Sequence, residues 1–232
     1  MTRPRYAVYL APALASPWWT AGSAWLGRCA RTGALLPQPA VAGLSAARLQ
    51  EHTAAPRRYG WHATLRAPFH LADGVSIGTL EAAVADLAGQ LAPFPVPALQ
   101  VVRLADFLAL TLTTPCAALQ ALADACVRDL QPFATHLDAA ELQRRCPPGT
   151  PAAVQQRVAT WGYAHVFADF RFHLTLSGPL TGLAPAVVDA LRLGAAQHFA
   201  DLPPLACTAL TLFEEPAPGA AFRVRTDFPL RG

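Results

Sequence analysis

Hydrophobic and polar positions along the chain alternate in short runs that change period many times. Arg5 to Leu10 is β-branched and aromatic, and Pro12 follows, so the spacing predicts a strand. Trp18 to Ala30 predicts a helix after Ser16-Pro17, where serine caps and proline opens the first turn. Ser45 to Thr53 predicts a second helix, and Trp61 to Arg66 a short strand ended by Pro68. Leu80, Val84, Leu87 and Leu91 fall at helical spacing within Ile77 to Leu91. Leu99 to Leu104 and Phe107 to Thr113 predict two strands around a tight turn, and a helix opens at Pro115 and runs to about Leu130. One or two helices are expected between Asp138 and Thr160, around Pro147-Pro148-Gly149. Phe170 to Leu176 predicts a strand, Pro185 to Phe199 a helix, and Leu205 to Phe213 with Phe222 to Phe228 a terminal strand pair.

The pattern repeats. A shift of 111 residues carries Trp61-His62-Ala63-Thr64-Leu65-Arg66-Ala67-Pro68 onto Phe172-His173-Leu174-Thr175-Leu176-Ser177-Gly178-Pro179. His, Thr, Leu and Pro coincide, and each block is followed by a helix and two strands. An internal duplication of an α+β unit follows. The expected fold is α+β: one bilobal domain over 1–232, with lobe one roughly 1–105 and lobe two roughly 106–232 related by a pseudo-twofold. Antiparallel sheets would carry helices on their outer faces and enclose a central groove. The segment 138–160 has no first-half counterpart of equal length, and it is expected to edge that groove.

Alternate side chains of a strand share a face. His62, Thr64 and Arg66 therefore point one way in the first copy, and Arg171, His173, Thr175 and Ser177 in the second. The opposite positions, Trp61, Ala63, Leu65, Phe172, Leu174 and Leu176, are apolar and suited to a core. Two imidazoles and two hydroxyls would thus face one groove. Hydrolysis of a cyclic phosphodiester needs a base for water and an acid for the leaving oxygen, and histidine serves as either near neutrality. The threonine hydroxyls suit the non-bridging phosphate oxygens, and the guanidiniums of Arg66 and Arg171 add charge of matching geometry. Tyr59 and Tyr163 are candidates for lining the groove. Of the other five histidines, His165 is expected nearest to it.

Composition narrows the classes. The chain has 232 residues, 53% hydrophobic and 14% charged, which excludes intrinsic disorder. Its net charge of +3 comes from 18 arginines against 15 acids, with no lysine. That balance is too weak to favour nucleic acid as a partner. Five cysteines, an odd number without C-x-x-C spacing, suit reduced thiols and a cytoplasmic setting rather than a disulfide frame or zinc knuckle. No apolar run is long enough for a membrane span. The opening arginines and apolar residues fit a strand better than a signal peptide.

The paired His-x-Thr blocks resemble the 2H phosphoesterase superfamily. Arg58 through Phe69, Trp161-Gly162-Tyr163 and Phe170 through Leu180 are most similar to its DUF1045 branch, described as phosphonate-metabolism proteins, and Arg5 through Pro12 is similar too. The resemblance implies a LigT-like two-lobed fold, a metal-independent cyclic phosphodiesterase without cofactor, and a small cyclic phosphate as substrate. By position it makes His62 and His173 the catalytic pair, with Thr64, Thr175, Arg66, Arg171 and Ser177 on the phosphate. A phosphonate setting points to 5-phosphoribosyl 1,2-cyclic phosphate. The alternatives are processing of RNA 2′,3′-cyclic phosphate ends, or a non-catalytic nucleotide- or RNA-binding module.

Overall fold

A computed structural model describes residues 3–232. The strands are β1 (Arg5–Leu10), β2 (Ala63–Phe69), β3 (Phe94–Pro95), β4 (Leu99–Leu104), β5 (Phe107–Leu112), β6 (Leu174–Thr175), β7 (Ala206–Cys207), β8 (Ala209–Glu215) and β9 (Arg223–Pro229). The helices are α1 (Pro17–Leu26), α2 (Ala46–His52), α3 (Ala54–Tyr59), α4 (Ile77–Gly89), α5 (Ala117–Asp129), α6 (Ala139–Arg145), α7 (Ala152–Trp161) and α8 (Pro185–His198).

Local chemistry sets the helix ends. The Ser16 hydroxyl accepts the Trp18 N–H with Pro17 at the first helical position, and Gly27 closes α1 in the left-handed conformation. Ser76 caps α4 by accepting the Thr79 N–H, and its Leu80, Val84 and Leu87 are buried at the expected spacing. α3 escapes the sequence pattern because it is one short, polar turn-and-a-half directly after α2.

All strand pairs are antiparallel, and seven strands form one sheet in the order β4-β5-β6-β2-β1-β8-β9, with β3 and β7 as a separate ribbon. Exchange β1 for β5, β2 for β6 and β4 for β8, as the duplication matches them. The order β4-β5-β6-β2-β1-β8 then reads the same from both ends, with its centre between β6 and β2. The sequence boundary near residue 105 falls in the turn joining β4 to β5. It therefore divides the two repeats along the chain but not the two halves of the sheet: β4, from the first repeat, pairs with β5 of the second, and β8 pairs with β1.

The core beneath the sheet holds Trp25, Trp61, Phe213 and Phe222, all fully buried. Trp61 stacks on Phe199 with centroids 5.2 Å apart. Gly22 of α1 lets that indole lie against the helix, since a Cβ there would fall 2.0 Å from the Trp61 ring. Two departures from expectation matter for the site. The β1–β2 register slips between Tyr9–Thr64 and Val8–Arg66, so one extra residue of β2 bulges. And β6 is two residues rather than seven, partly because the Ser177 hydroxyl, not a ladder carbonyl, accepts the Leu108 N–H at 2.9 Å.

Candidate active site

The centre of the sheet brings the two repeats together. Ala63 of β2 pairs with Leu174 of β6. Carried one residue either way, that antiparallel register sets His62 opposite Thr175 and Thr64 opposite His173. Directly opposed residues have Cβ atoms about 4.5–5.5 Å apart and share a face. The intervening Ala63 and Leu174 are fully buried on the other face. His62, Thr64, His173 and Thr175 all line one cleft of about 540 Å³. A neighbouring hollow of about 290 Å³ shares Tyr59, His62 and Thr175 with it.

Both imidazoles are held the same way. The Nδ1–H of His62 donates to the Gly60 carbonyl at 2.9 Å, and that of His173 to the Arg171 carbonyl at 2.8 Å. Each acceptor lies two residues back along the chain, just ahead of the strand. A ring that donates from Nδ1 keeps an acceptor lone pair on Nε2 when neutral. Gly60 sits at φ +83°, and a Cβ there would lie 2.5 Å from the Ala30 methyl, so only glycine presents this carbonyl without strain.

The two histidines are not equivalent. Burial lowers the His62 pKa to about 4, with the Gly60 carbonyl opposing and the charge of His173 adding to the fall. Burial also lowers His173, opposed by the Arg171 carbonyl and reinforced by His165. Tyr9 explains much of the difference. It pairs with Thr64 and stacks on the His62 ring with centroids 3.8 Å apart. The corresponding partner of Thr175 is Ala109. His173 has Phe107 at 5.6 Å, tilted by 53°, and no stacked ring.

Several expected residues stand elsewhere. The bulge in β2 turns Arg66 off the face of Thr64 and opposite Val8. Its guanidinium is buried, 3% exposed, and donates to the Trp161 carbonyl at 3.1 Å and to Gln131 Oε1 at 2.5 Å. It does not line the cleft. Ser177 is also buried; its hydroxyl accepts from Leu108 and donates to the Gly178 carbonyl at 2.8 Å, which leaves no proton for phosphate. It borders only the smaller hollow. The Arg171 side chain is exposed and outside both cavities, its carbonyl being the part that serves the site. Tyr59, Tyr163 and His165 line the cleft as expected. Burial raises the Tyr163 pKa, and its ring meets His165 edge-on at 5.5 Å. Arg5, Tyr9 and Arg145 also line it and were not foreseen. Tyr9 and Arg5 share a face four positions apart on β1, a signal that needed the β1–β2 pairing to interpret. Arg145 comes from the insertion.

Among the described residues, no group of three His, Cys, Asp or Glu side chains is placed to hold a metal ion. Among these residues, no helix is long and apolar enough to cross a membrane.

Residues 64–223 match the family model described as a protein of unknown function, DUF1045. The chain belongs to the DUF1045 family. Two curated relatives named ribose 1,5-bisphosphate phosphokinase PhnN are similar to this DUF1045 chain. That of Janthinobacterium sp. (strain Marseille) is 37% identical over 232 residues, covering 98% of this chain and 51% of that protein. That of Laribacter hongkongensis (strain HLHK9) is 38% identical over 220 residues, covering 95% and 50%. The chain spans about half the length of the curated relatives it matches. Among solved structures, E. coli LigT complexed with 3′-AMP aligns over 99% of both chains at 15% identity and TM-score 0.45. A structure named phosphoesterase aligns over 100% of this chain and 99% of its own at 16% identity and TM-score 0.42.

Proposed function

We propose that the cleft hydrolyses a cyclic phosphodiester without a metal ion, using His62 and His173 as a base–acid pair. The observation that carries this reading is the cross-strand square of His62, Thr175, Thr64 and His173, with each ring's Nδ1 committed to a backbone carbonyl. Nε2 of each histidine is then the nitrogen left for substrate. His62, the more desolvated, is neutral near pH 7 and takes a proton from water. The water oxygen forms a bond to phosphorus while the ring P–O bond breaks. The departing oxygen takes its proton from His173, whose pKa is less depressed. Thr64 and Thr175 donate to the non-bridging oxygens. The product is a phosphomonoester beside a free hydroxyl.

A phosphorylated ribose is the substrate class we favour. The matched relatives are named for ribose 1,5-bisphosphate, and this chain covers only half of them. The chain contains no lysine, so the phosphate-binding lysine of P-loop kinases has no counterpart here. The kinase name therefore suits the half of those proteins that this chain does not match. In a phosphonate-degrading setting the fitting substrate is 5-phosphoribosyl 1,2-cyclic phosphate.

Turnover measured in EDTA on that compound, on 2′,3′-cyclic nucleotides and on RNA ending in a cyclic phosphate tests the proposal. Hydrolysis that persists in EDTA and is lost in both His62→Ala and His173→Ala is expected. Near-normal turnover in either variant would overturn the two-histidine mechanism. Best activity on the RNA ends would move the role to RNA processing. Phosphate or nucleotide binding without any turnover would leave a binding module.

A further inference from the structure

The duplication makes the centre of the cleft symmetric, but its two ends differ in chemistry. Toward Ala67 and Pro68 the wall carries Arg5, Arg145 and His165, and among the described residues no carboxylate lines this cleft. Toward Gly178 and Pro179 the smaller hollow is walled by Ala55, Pro56 and Phe107, with Asp106 its sole charged residue among those described. Antiparallel β2 and β6 run these ends in opposite directions from the paired histidines.

From this we infer that the Arg5–Arg145–His165 end is a second anion subsite, which takes a phosphomonoester carried by the same substrate whose cyclic phosphate lies between the histidines. The inference rests on the cyclic phosphodiesterase reading. Arg5 lies four residues before Tyr9 on the same face of β1, about 13 Å along the strand at ~3.3 Å per residue. Its side chain covers part of that distance, which suits a sugar lying between two phosphates. The cleft, about 540 Å³, has room for such a molecule.

The guanidiniums are pre-positioned from behind. Arg5 Nε donates to the buried Glu215 at 2.5 Å, and Glu215 is fixed in turn by the Gly219 N–H at 3.0 Å. Only Nε is spent, so among the described residues both Nη groups of Arg5 remain for a ligand. Arg145 donates to the Gly162 carbonyl and to Glu141 at 2.5 Å, which fixes it against the wall with Nε unspent. Held arginines lose little freedom on meeting a phosphate, and the planar fork matches its oxygens. Arg145 and His165 come from the region around the insertion, which the first repeat lacks. The insertion thus converts a symmetric site into one that reads which end of the substrate bears charge.

The test compares kcat/KM for 5-phosphoribosyl 1,2-cyclic phosphate with that for ribosyl 1,2-cyclic phosphate, in wild type and Arg145→Gln. The 5-phosphate should favour the first compound by about 10- to 100-fold in wild type, mainly through KM, and Arg145→Gln should bring the ratio most of the way to one. Equal rates on both compounds in wild type would overturn the subsite. Arg5→Gln removes the shorter of the two ion pairs of the buried Glu215, leaving Arg58 at 3.4 Å, and so mixes a stability loss with any binding loss; Arg145→Gln carries the test.

Calorimetric binding of ribose 5-phosphate supplies an arm that needs no turnover. It should weaken at least 10-fold in Arg145→Gln and persist in the Thr64→Val/Thr175→Val double variant. The reverse pattern, or no binding by wild type at millimolar ligand, would overturn the inference. Absence of turnover on every cyclic phosphate with this binding pattern intact would sink the phosphodiesterase reading and leave the anion subsite standing.

Discussion

Tyr9 lies stacked on His62, centroids 3.8 Å and planes 24° apart, while the matching position beside Thr175 is Ala109. An aromatic lid on one of two duplicated imidazoles desolvates that one more, and desolvation lowers a histidine pKa. The stack therefore breaks the equivalence of the two histidines, and under the proposed mechanism it suits His62 to the role of base. Tyr9→Leu keeps an apolar side chain but opens the ring to water. We expect the acidic limb of the kcat/KM–pH profile to move upward from near pH 4, toward the ordinary histidine value, with about a tenfold loss in rate. A limb that stays in place would remove Tyr9 from control of the base.

Each histidine is expected to contribute about 10²- to 10⁴-fold to turnover. His62→Ala should abolish the acidic limb of the kcat/KM profile, and His173→Ala the basic limb, because base and acid must be deprotonated and protonated respectively. With His62 near 4 and His173 lowered below 6.5, the free enzyme should work best on the acid side of neutrality. Loss of the opposite limbs would exchange the roles without removing the pair.

The same shift links pH to stability. The folded state holds His62 at about 4, whereas the unfolded chain titrates near 6.5. Between those values the unfolded state binds more protons, so stability is complete above about pH 6.5 and falls as pH drops toward 4. Denaturant midpoints measured across that window should decline, and His62→Gln should flatten the decline. A midpoint curve unaltered by the substitution would place the acid sensitivity elsewhere.

Gly60 tests the orientation of His62, the proposed base. Gly60→Ala forces an L residue to φ +83° and a methyl to within 2.5 Å of Ala30. We expect a loss of about 1–3 kcal/mol in stability from the backbone alone. A kcat reduction beyond the unfolded fraction should accompany it, since the carbonyl that holds His62 Nδ1 turns. Circular dichroism beside single-turnover rates separates the two effects. A folded variant with unchanged kcat would show that the carbonyl bond is dispensable.

Much of the site was legible in the chain, and the limits have physical causes. The strand period put His62 with Thr64 and His173 with Thr175, and the repeat showed that the two pairs belong together. Period alone assumes an unbroken ladder, and it failed where the ladder breaks: at the bulge that turns Arg66 away, and at Ser177, whose hydroxyl replaces a ladder acceptor. Strand exchange between the repeats was likewise invisible, because β4 and β8 read as strands in either half. Arg5, Tyr9 and Arg145 reach the cleft only through pairings distant in sequence, which no local pattern encodes.

Arg66 offers the sharpest contrast between position in sequence and position in space. By alternation it belongs beside Thr64 on the phosphate. In the fold it ties β2 to Gln131 and to the Trp161 carbonyl at the end of α7, and Gln131 holds the Thr160 carbonyl at 2.8 Å. It thereby anchors the insertion whose far side walls the cleft. Burial lowers its pKa to about 10, still well above working pH, so it stays charged. A phosphate ligand would tolerate lysine, which keeps the charge. A clamp with a planar fork and several acceptors would not, because a single ammonium cannot span them. Arg66→Lys is therefore expected to cost about 2–4 kcal/mol of stability. Its folded fraction should retain kcat within a few-fold, with KM raised as the wall loosens. A stable Arg66→Lys enzyme that loses kcat by orders of magnitude would return Arg66 to the reacting phosphate.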